Sequence, residues 1–391
     1  MTKIIYLLFL VSLLTLTYSF AHGQTDFYKK GDSLYKIKDY KNSALAYADG
    51  IRAEGQAASI GRYRFCAASW ALAGEADSAF YYLNIISRSE KANKVIAQNI
   101  RYGADFIALQ QDKHWQPALN AIQLQAEMNG YPQEEFIYGH KDGIGLTLVQ
   151  IKPKKIPNGK AILQVANGGF VSSYNGIEFQ TASVEQYLAK GYTVFAVMQG
   201  SYPRYAIPDQ INDIKRAIRY IRYHAAKFGI DPGHMGITGG SSGGHLALAV
   251  ATADDKINTT APDPVDRVSS GVQAVAVLFP PTDLLNYGEP GKVFRENTTL
   301  YGPVTDTAAR NRVAREISPL LFVSPDDPPV FIMHGDADST VPLQQSQTII
   351  ARLNEAGVPN RFIIKKGGKH NGDDMKPEWQ EFVDWFDKYL K

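Results

Sequence analysis

Apolar residues follow two different patterns along the chain, and the change falls near residue 130. Between about Asp26 and Gln125 they recur at helical spacing, with many Ala and Tyr residues and no segment typical of a strand. After about Tyr131, short runs rich in Val, Ile and Leu alternate with amphipathic segments. The patterns predict an all-helical domain over residues 24–130 and an α/β domain over residues 131–391.

The second pattern predicts a mostly parallel β-sheet with helices on both faces, because strands and helices alternate along the chain. Residues 136–153 are expected to form an antiparallel hairpin at its start. Further strands are predicted at residues 161–166, 193–198, 234–238, 272–279, 330–334 and 361–365. Helices are predicted at residues 183–191, 209–228, from 245 onward, 343–356 and 379–390.

The helical domain contains a weak internal repeat with an offset of about 36 residues, close to the tetratricopeptide period of 34. The positions that recur are Gly31, Leu34, Ser43 and Tyr47 in the first unit and Ala67, Trp70, Ala79 and Leu83 in the second. The region resembles a tetratricopeptide-like module of two or three units, with a terminal helix pair in residues 104–119, and such a module would bind a protein partner. An irregular helical cap is the alternative.

Residues 1–23 have the pattern of a secretory signal peptide: Lys3, an apolar run from Ile4 to Leu16, then small and polar residues. Cleavage is expected after Ala21 or Gly23. The apolar run is shorter than the roughly 20 residues that cross a bilayer, so a retained anchor is the less favoured alternative. The pattern predicts a secreted or periplasmic protein without a stable membrane anchor.

Charge and cysteine content narrow the class of protein further. Forty-one basic and 39 acidic residues leave a formal net charge of +2, which argues against nucleic acid or an anionic membrane as a partner. The single cysteine, Cys66, cannot form a disulfide within the chain, and we expect it to be buried. The fold must therefore depend on its apolar core.

The segment ITGGSSGGHLAL, residues 237–248, lies between a predicted strand and a predicted helix. A G-x-S-x-G sequence in that setting is typical of a nucleophile elbow, where glycines permit the tight turn and the helix N-terminus stabilises a developing anion. Two registers fit, with Ser241 or Ser242 as the central serine. Either serine would need a base and an orienting acid.

The elbow resembles the G-x-S-A-G-G-H sequence of secreted esterases with the α/β-hydrolase fold. This group includes the BD-FAE and acetylxylan-esterase-like enzymes and is related to prolyl oligopeptidase. The resemblance extends over about residues 131–390 and implies that Ser241 is the nucleophile. It also implies a serine, acid, histidine order along the chain.

The acid and the base follow from two later motifs. The family pattern H-G-x-x-D-x-x-V-P matches residues 334–342 and implies Asp338 as the acid, with Asp336 as the alternative. His370 follows the next strand in a Gly-Gly-Lys-His sequence, where the family usually has G-x-G-H, and is expected to be the base. We interpret His245 and His334, which also lie in these motifs, as structural.

The oxyanion would be held by backbone N–H groups. The sequence VANGGF aligns Gly168, Gly169 and Phe170 with the family's H-G-G-G or P-G-G-G, although the first two residues of the motif differ. Gly169 is the first choice for one donor and Phe170 the second. The other donor is expected to be the N–H of Ser242.

These residues predict a serine hydrolase that cleaves carboxylic esters through an acyl-enzyme and needs no metal or organic cofactor. The resemblance implies a small-molecule or oligosaccharide ester, such as an acylated carbohydrate, as substrate. Residues 284–325 are the expected cap, with Tyr287, Phe294 and Tyr301 as candidate wall residues, and a buried packing role is the alternative for each. The alternatives are a prolyl-oligopeptidase-type peptidase and a non-catalytic scaffold that binds a partner. About 100 helical residues cannot form the propeller that such peptidases usually carry.

Overall fold

The computed structural model of the protein describes residues 26–165, 167–172, 184–288, 298–304 and 306–391. The chain divides into two compact units between Gly130 and Tyr131. The predicted signal peptide, residues 1–23, lies outside the described residues. Within the described ranges, no helix combines the length and apolar content needed to cross a membrane.

The first unit is built from helices that follow one another closely. They are α1 (26–36), α2 (Tyr40–Glu54), α3 (Ile60–Leu72), α4 (Ala76–Ile86), α5 (Lys94–Arg101) and α6 (Trp115–Asn129). Short 3₁₀ helices occupy Gly55–Ala57 and Ala104–Leu109. Helix α3 packs against α2 and α4, and α6 packs against α4 and α5.

Small residues let the first helices approach closely. A Cβ atom on Gly31 would lie 3.1 Å from the ring of Tyr47, and the Ser43 hydroxyl donates to the Gly31 carbonyl at 2.9 Å. The sole cysteine, Cys66, is buried as expected. The terminal α-helical pair differs from the prediction: it consists of α5 and α6, because residues 104–109 form only a 3₁₀ helix.

The second unit contains one eight-stranded sheet and a small two-stranded one. Its strands are β1 (Gln133–Lys141), β2 (Ile144–Ile151), β3 (Ala161–Val165), β4 (Asn167–Gly168), β5 (Val171–Ser172), β6 (Thr193–Met198), β7 (Met235–Gly240), β8 (Ala274–Leu278), β9 (Val330–Gly335) and β10 (Asn360–Lys365). The large sheet has the order β1-β2-β6-β3-β7-β8-β9-β10. Among the described strands of this large sheet, only the β1–β2 and β2–β6 pairs are antiparallel, which confirms the mostly parallel sheet.

Helices cover both faces of this sheet. They are α7 (184–189), α8 (Ile207–Tyr223), α9 (Ala225–Phe228), α10 (Ser242–Ala251), α11 (Thr307–Ile317), α12 (Leu343–Glu355) and α13 (Trp379–Tyr389). One apolar cluster joins α8, α10 and α12 to one face, and a second joins α7 and α13 to the other. The central strands are buried on both sides, as their continuous apolar runs predict.

The parallel arrangement brings the ends of β3, β7, β9 and β10 to one edge of the sheet. The oxyanion motif, the elbow, the acid motif and the base motif each follow one of these four strands. Residues more than a hundred positions apart therefore meet at that edge. Ligand sites of open α/β sheets form at this carboxyl edge.

Candidate functional site

Ser241 lies at the sharp turn between β7 and α10. Its φ of 55° is in the left-handed region, which is costly for a residue with a Cβ atom. A Cβ atom on Gly239 would lie 2.6 Å from the backbone of Gly243, so a glycine is required where the strand and the helix cross. The N–H of Ser241 donates to the Leu278 carbonyl at 3.0 Å, which fastens the turn to β8.

Ser241, His370 and Asp338 form one hydrogen-bonded chain. The Oγ atom of Ser241 lies 2.9 Å from Nε2 of His370, and Nδ1 of His370 lies 2.7 Å from Oδ2 of Asp338. His370 lies in the loop after β10, and Asp338 in the loop after β9. Such a chain can accept the proton of the serine hydroxyl and stabilise the imidazolium that results.

Both carboxylate oxygens of Asp338 accept hydrogen bonds. Its Oδ1 atom accepts from the N–H groups of Thr340 and Val341, at 2.8 and 2.9 Å, and the side chain is fully buried. Its Oδ2 atom also lies 3.3 Å from Nε2 of His334. Burial raises the pKa of Asp338, but hydrogen bonds from His334, His370 and the two amides outweigh burial and hold that pKa well below its usual range. Asp338 is therefore ionised at neutral pH.

The alternative acid, Asp336, has a different partner. Its Oδ1 atom accepts from the N–H of Gly367 at 2.6 Å, within the loop that carries His370. The alternative serine, Ser242, is buried and is the first residue of α10. The hydrogen bonds of the His370 imidazole are thus made with Ser241 and Asp338, and not with the alternatives Ser242 and Asp336.

The two motif histidines are buried in the framework of the site. His334 contacts Ser346 Oγ through Nδ1 at 2.7 Å and donates from Nε2 to the Val341 carbonyl at 2.9 Å. His245 donates from Nδ1 to the Pro281 carbonyl at 3.1 Å. Burial lowers the pKa of His245 to about 4, so it is neutral at pH 7. Sequence reasoning missed that His334 also contacts Asp338.

A further residue near the imidazole, Phe279, was absent from the sequence prediction. Its ring centroid lies 4.4 Å from that of His370. Phe279 follows β8 directly, at the edge where the other motifs lie, and this position is the signal that could have identified it. An aromatic wall beside His370 restricts the orientation of the imidazole.

The predicted oxyanion segment forms a two-residue hairpin turn. Strands β4 and β5 pair through Gly168 and Val171, and the turn between them consists of Gly169 and Phe170. Both turn residues have positive φ, 61° and 64°, which matches the twist of a hairpin. The Phe170 ring is buried and lies 5.6 Å from the ring of His245, one turn into α10.

A cavity of about 420 Å³ opens beside Ser241. Its apolar lining includes Phe279, Trp379 and Phe382, and its polar lining includes Asn371 and Asp373. Two of the candidate wall residues, Tyr287 and Tyr301, are instead buried in the apolar core. The third, Phe294, lies outside the described residues.

No cluster of three or more His, Cys, Asp or Glu side chains suited to a metal ion occurs in the described part of the chain.

The chain is similar to proteins that are named as esterases. Esterase LipQ of Mycobacterium tuberculosis is 29% identical over 231 residues, which cover 57% of this chain and 53% of that protein. The chain thus spans about half the length of this curated relative.

Two solved structures share the fold. A truncated carbohydrate esterase from gut microbiota has a TM-score of 0.56 at 28% identity, over 66% of this chain and 97% of that one. An acetyl ester-xyloside bifunctional hydrolase from Caldicellulosiruptor lactoaceticus has a TM-score of 0.55 at 25% identity, over 66% of this chain and 94% of that one. The second unit accordingly has the α/β-hydrolase fold, as the elbow predicted.

The model of the BD-FAE family matches residues 149–353, a range that includes the elbow and the acid loop. Since this match covers just over half of the 391 residues, the chain belongs to the BD-FAE family.

Proposed function

We propose that this protein is a serine hydrolase that cleaves carboxylic esters, with Ser241 as nucleophile, His370 as general base and acid, and Asp338 as the orienting carboxylate. The observation that carries the proposal is the relay of 2.9 and 2.7 Å from Ser241 through His370 to Asp338. The esterase names of its relatives support the same reaction.

In the acylation step, Ser241 Oγ attacks the carbonyl carbon of the ester while its proton passes to His370 Nε2. The carbonyl π electrons move to oxygen and form a tetrahedral oxyanion. When this intermediate collapses, the bond to the alcohol oxygen breaks, and His370 returns the proton to the departing alkoxide. The products of this step are a free alcohol and an acyl-serine.

In the deacylation step, water takes the place of the alcohol. His370 removes one proton from the water as its oxygen attacks the acyl carbon, and a second tetrahedral oxyanion forms. Its collapse breaks the bond to Ser241 Oγ, which takes the proton back from His370. The carboxylic acid leaves, and both side chains return to their starting states.

Backbone N–H groups would stabilise both oxyanions. One donor is the N–H of Ser242, in the first turn of α10, where the helix dipole is positive. The other comes from the turn formed by Gly169 and Phe170, with Gly169 as the first choice. Removal of one such donor costs about 3 kcal/mol of transition-state stabilisation in a serine protease with an unrelated fold.

We further propose that the substrate is an acylated carbohydrate. The names of the two structural relatives refer to a carbohydrate esterase and an acetyl ester-xyloside hydrolase. The cavity beside Ser241 combines an aromatic ring, Trp379, with the polar side chains of Asn371 and Asp373. Sugars present both apolar faces and hydroxyl groups, so this mixed lining suits them.

Two further proposals concern the rest of the chain. The composition of residues 1–23 supports export to the periplasm or the medium, which N-terminal sequencing of the exported protein would test. The paired helices and the repeat of small residues support a tetratricopeptide-like module that binds a protein partner.

The central test is turnover of p-nitrophenyl acetate by the purified protein and by Ser241→Ala. We expect the substitution to lower kcat by up to about 10⁶-fold. Ser59→Ala is the control, since Ser59 is an exposed serine without a side-chain capping bond in the helical unit, and it should leave kcat unchanged. A fluorophosphonate should label Ser241, as located by mass spectrometry.

Equal turnover by Ser241→Ala and the unchanged protein would refute the proposal. Faster cleavage of a proline amide than of the ester would favour a peptidase of the prolyl oligopeptidase type instead. Absence of turnover together with absence of fluorophosphonate labelling would favour the non-catalytic scaffold.

The substrate class has its own test. Trp379→Ala should lower kcat/KM for acetylated xylo-oligosaccharides while leaving kcat/KM for p-nitrophenyl acetate nearly unchanged. A parallel decrease for both substrates would contradict a sugar-binding role for Trp379.

A further inference from the structure

Phe170 has an unusual backbone conformation that the surrounding residues must maintain. It is a bulky residue with φ of 64°, in a region that residues other than glycine rarely adopt. A conformation of this kind persists only where neighbouring groups hold it. Phe170 belongs to the turn that supplies an oxyanion donor in the proposed function.

The carbonyl oxygen of Phe170 accepts two hydrogen bonds. One comes from the N–H of Tyr202 at 3.0 Å, and the other from Nε2 of Gln210 at 3.1 Å. The ring of Phe170 packs on His245, and its carbonyl is held by these two donors. Rotation about the N–Cα bond of Phe170 is therefore restricted. That rotation determines the direction of the Phe170 N–H relative to the rest of the residue.

Gln210 lies on α8, forty positions away in sequence from Phe170, and is completely buried. Its Nε2 atom also donates to the Tyr205 carbonyl at 3.1 Å, and its Oε1 atom accepts from Gln199 Nε2 at 3.3 Å. Both polar atoms of the Gln210 side chain are thus hydrogen-bonded. The side chain ties the turn to the loop of residues 199–206.

That loop also holds the strand after the turn. Ser201 Oγ accepts from the N–H of Ser172 at 3.0 Å, and the Ser172 hydroxyl donates to the Gln199 carbonyl at 2.6 Å. The loop is itself fixed to α8, because Asp213 accepts from the N–H of Gly200 at 3.0 Å. Gln210 supplies the side-chain hydrogen bond to the turn, beside the backbone N–H of Tyr202 from the loop.

We propose that Gln210 is a positioning residue for the oxyanion hole: it holds the Gly169–Phe170 turn in the conformation that aims a backbone N–H at the oxyanion. The inference rests on the proposed function. Gln210 acts on the transition state through the turn, so its loss lowers kcat and leaves substrate affinity nearly unchanged.

The test compares Gln210→Met with the full-length unchanged protein. Methionine keeps the length and apolar volume of the side chain but cannot donate to Phe170. We expect kcat for p-nitrophenyl acetate to fall roughly 10- to 100-fold, less than the roughly 10²- to 10³-fold cost of deleting an oxyanion donor outright. KM should stay nearly constant, and affinity for a trifluoromethyl ketone, which mimics the tetrahedral state, should fall in parallel with kcat/KM.

Gln150→Met is the matched control. Gln150 is equally buried and donates to the backbone carbonyl of Phe228 at 3.2 Å, on a strand outside the site. Both variants should lose stability, but only Gln210→Met should lose kcat. Titration with a fluorophosphonate to the end point normalises each rate to the number of competent sites, which separates misfolding from a catalytic defect.

If Gln210→Met does not fold, Ser201→Ala is the second variant, because it removes the hydrogen bond from the N–H of Ser172, in the strand after the turn, to the same loop. A fall in kcat at constant KM supports the inference, and an unchanged kcat overturns it. Unchanged kcat in folded Gln210→Met, or an equal loss in Gln150→Met, also overturns it. Absence of Ser241-dependent turnover in the unchanged protein would instead refute the proposed function.

Discussion

The carboxylate of Asp336 accepts a hydrogen bond from the N–H of Gly367 at 2.6 Å, although the two residues follow different strands. The N–H of Ala337 donates to the Gly368 carbonyl at 3.0 Å in the same region. The loop that carries Asp338 is therefore fastened to the loop that carries His370. This attachment sets the distance between acid and imidazole before any substrate binds.

Gly335→Ala should disrupt that attachment. A Cβ atom on Gly335 would overlap the backbone of Gly368, which cannot move without shifting the loop of His370. We expect a loss of about 1–3 kcal/mol in the free energy of unfolding, as for other overpacked sites. We also expect a decrease in kcat for p-nitrophenyl acetate, measured on the folded fraction.

Gly143→Ala is the control for that substitution. Gly143 has a φ of 79° in the β1–β2 hairpin, and its Cβ position is open. Because of the backbone strain, we expect the free energy of unfolding to fall by about 1–2 kcal/mol, with no change in kcat. Equal kcat in Gly335→Ala and Gly143→Ala would show that the two loops do not need this contact.

Asp338→Asn should lower kcat by roughly 10⁴-fold, the size of effect known for the acid of a serine protease triad. The amide has a single acceptor oxygen, so it cannot accept hydrogen bonds both from His370 Nδ1 and from the two backbone N–H groups that the two carboxylate oxygens serve. Asp336→Asn is the matched control, because the amide oxygen can still accept from Gly367. A greater loss in Asp336→Asn than in Asp338→Asn would reverse the assignment of the acid.

His245 should make the fold sensitive to mild acid. Burial lowers its pKa from 6.5 to about 4 in the folded protein, so between these values the unfolded chain binds a proton that the folded protein does not. The contribution of neutral His245 to the free energy of unfolding is complete above about pH 6.5 and is lost as the pH falls toward 4. At pH 5 the loss is about 2 kcal/mol. Urea unfolding at pH 7.5 and pH 5 measures it.

His245→Gln should show a smaller difference in stability between the two pH values, because glutamine does not titrate. Its side chain can still donate to the Pro281 carbonyl. The same pH dependence in both proteins would mean that another group is responsible.

Ser242→Ala should keep kcat within a few-fold of the unchanged protein. The proposed role of Ser242 uses only its backbone N–H, which alanine retains. Comparison with Ser241→Ala under the same conditions distinguishes the two registers of the elbow. Loss of turnover in Ser242→Ala with retention in Ser241→Ala would assign the nucleophile to the other serine.

Gly50→Ala should destabilise the helical unit. The Cβ atom of alanine would lie 2.6 Å from the ring of Tyr28, so the substitution overpacks the contact between α1 and α2. We expect the free energy of unfolding to fall by about 1–3 kcal/mol. Gly61→Ala, on α3, is the control with the opposite sign, because only Ser59 Oγ lies near its Cβ position, at 3.9 Å. Alanine there should stabilise the helix by about 0.5–1 kcal/mol. Thermal unfolding followed by circular dichroism measures both; equal melting temperatures would contradict the expectation.

Local pattern was sufficient for most elements of the second unit. The run at residues 193–198 is a strand with the predicted bounds, since an apolar run of that length favours a buried strand. Elsewhere the ends moved by a few residues. The helix predicted at residues 209–228 is divided at His224, whose φ of −97° and ψ of 19° interrupt it.

The sequence by itself determined most of the elements and the mostly parallel sheet, and it limited the candidate site to a few residues, because strand periodicity and short motifs are local properties of the chain. Only the tertiary structure decided which carboxylate reaches His370, and that Phe279, His334 and Gln210 surround the site. These contacts join residues from different strands and helices. The order of the strands in the sheet brings such residues together, and this order cannot be inferred from the pattern within any one segment.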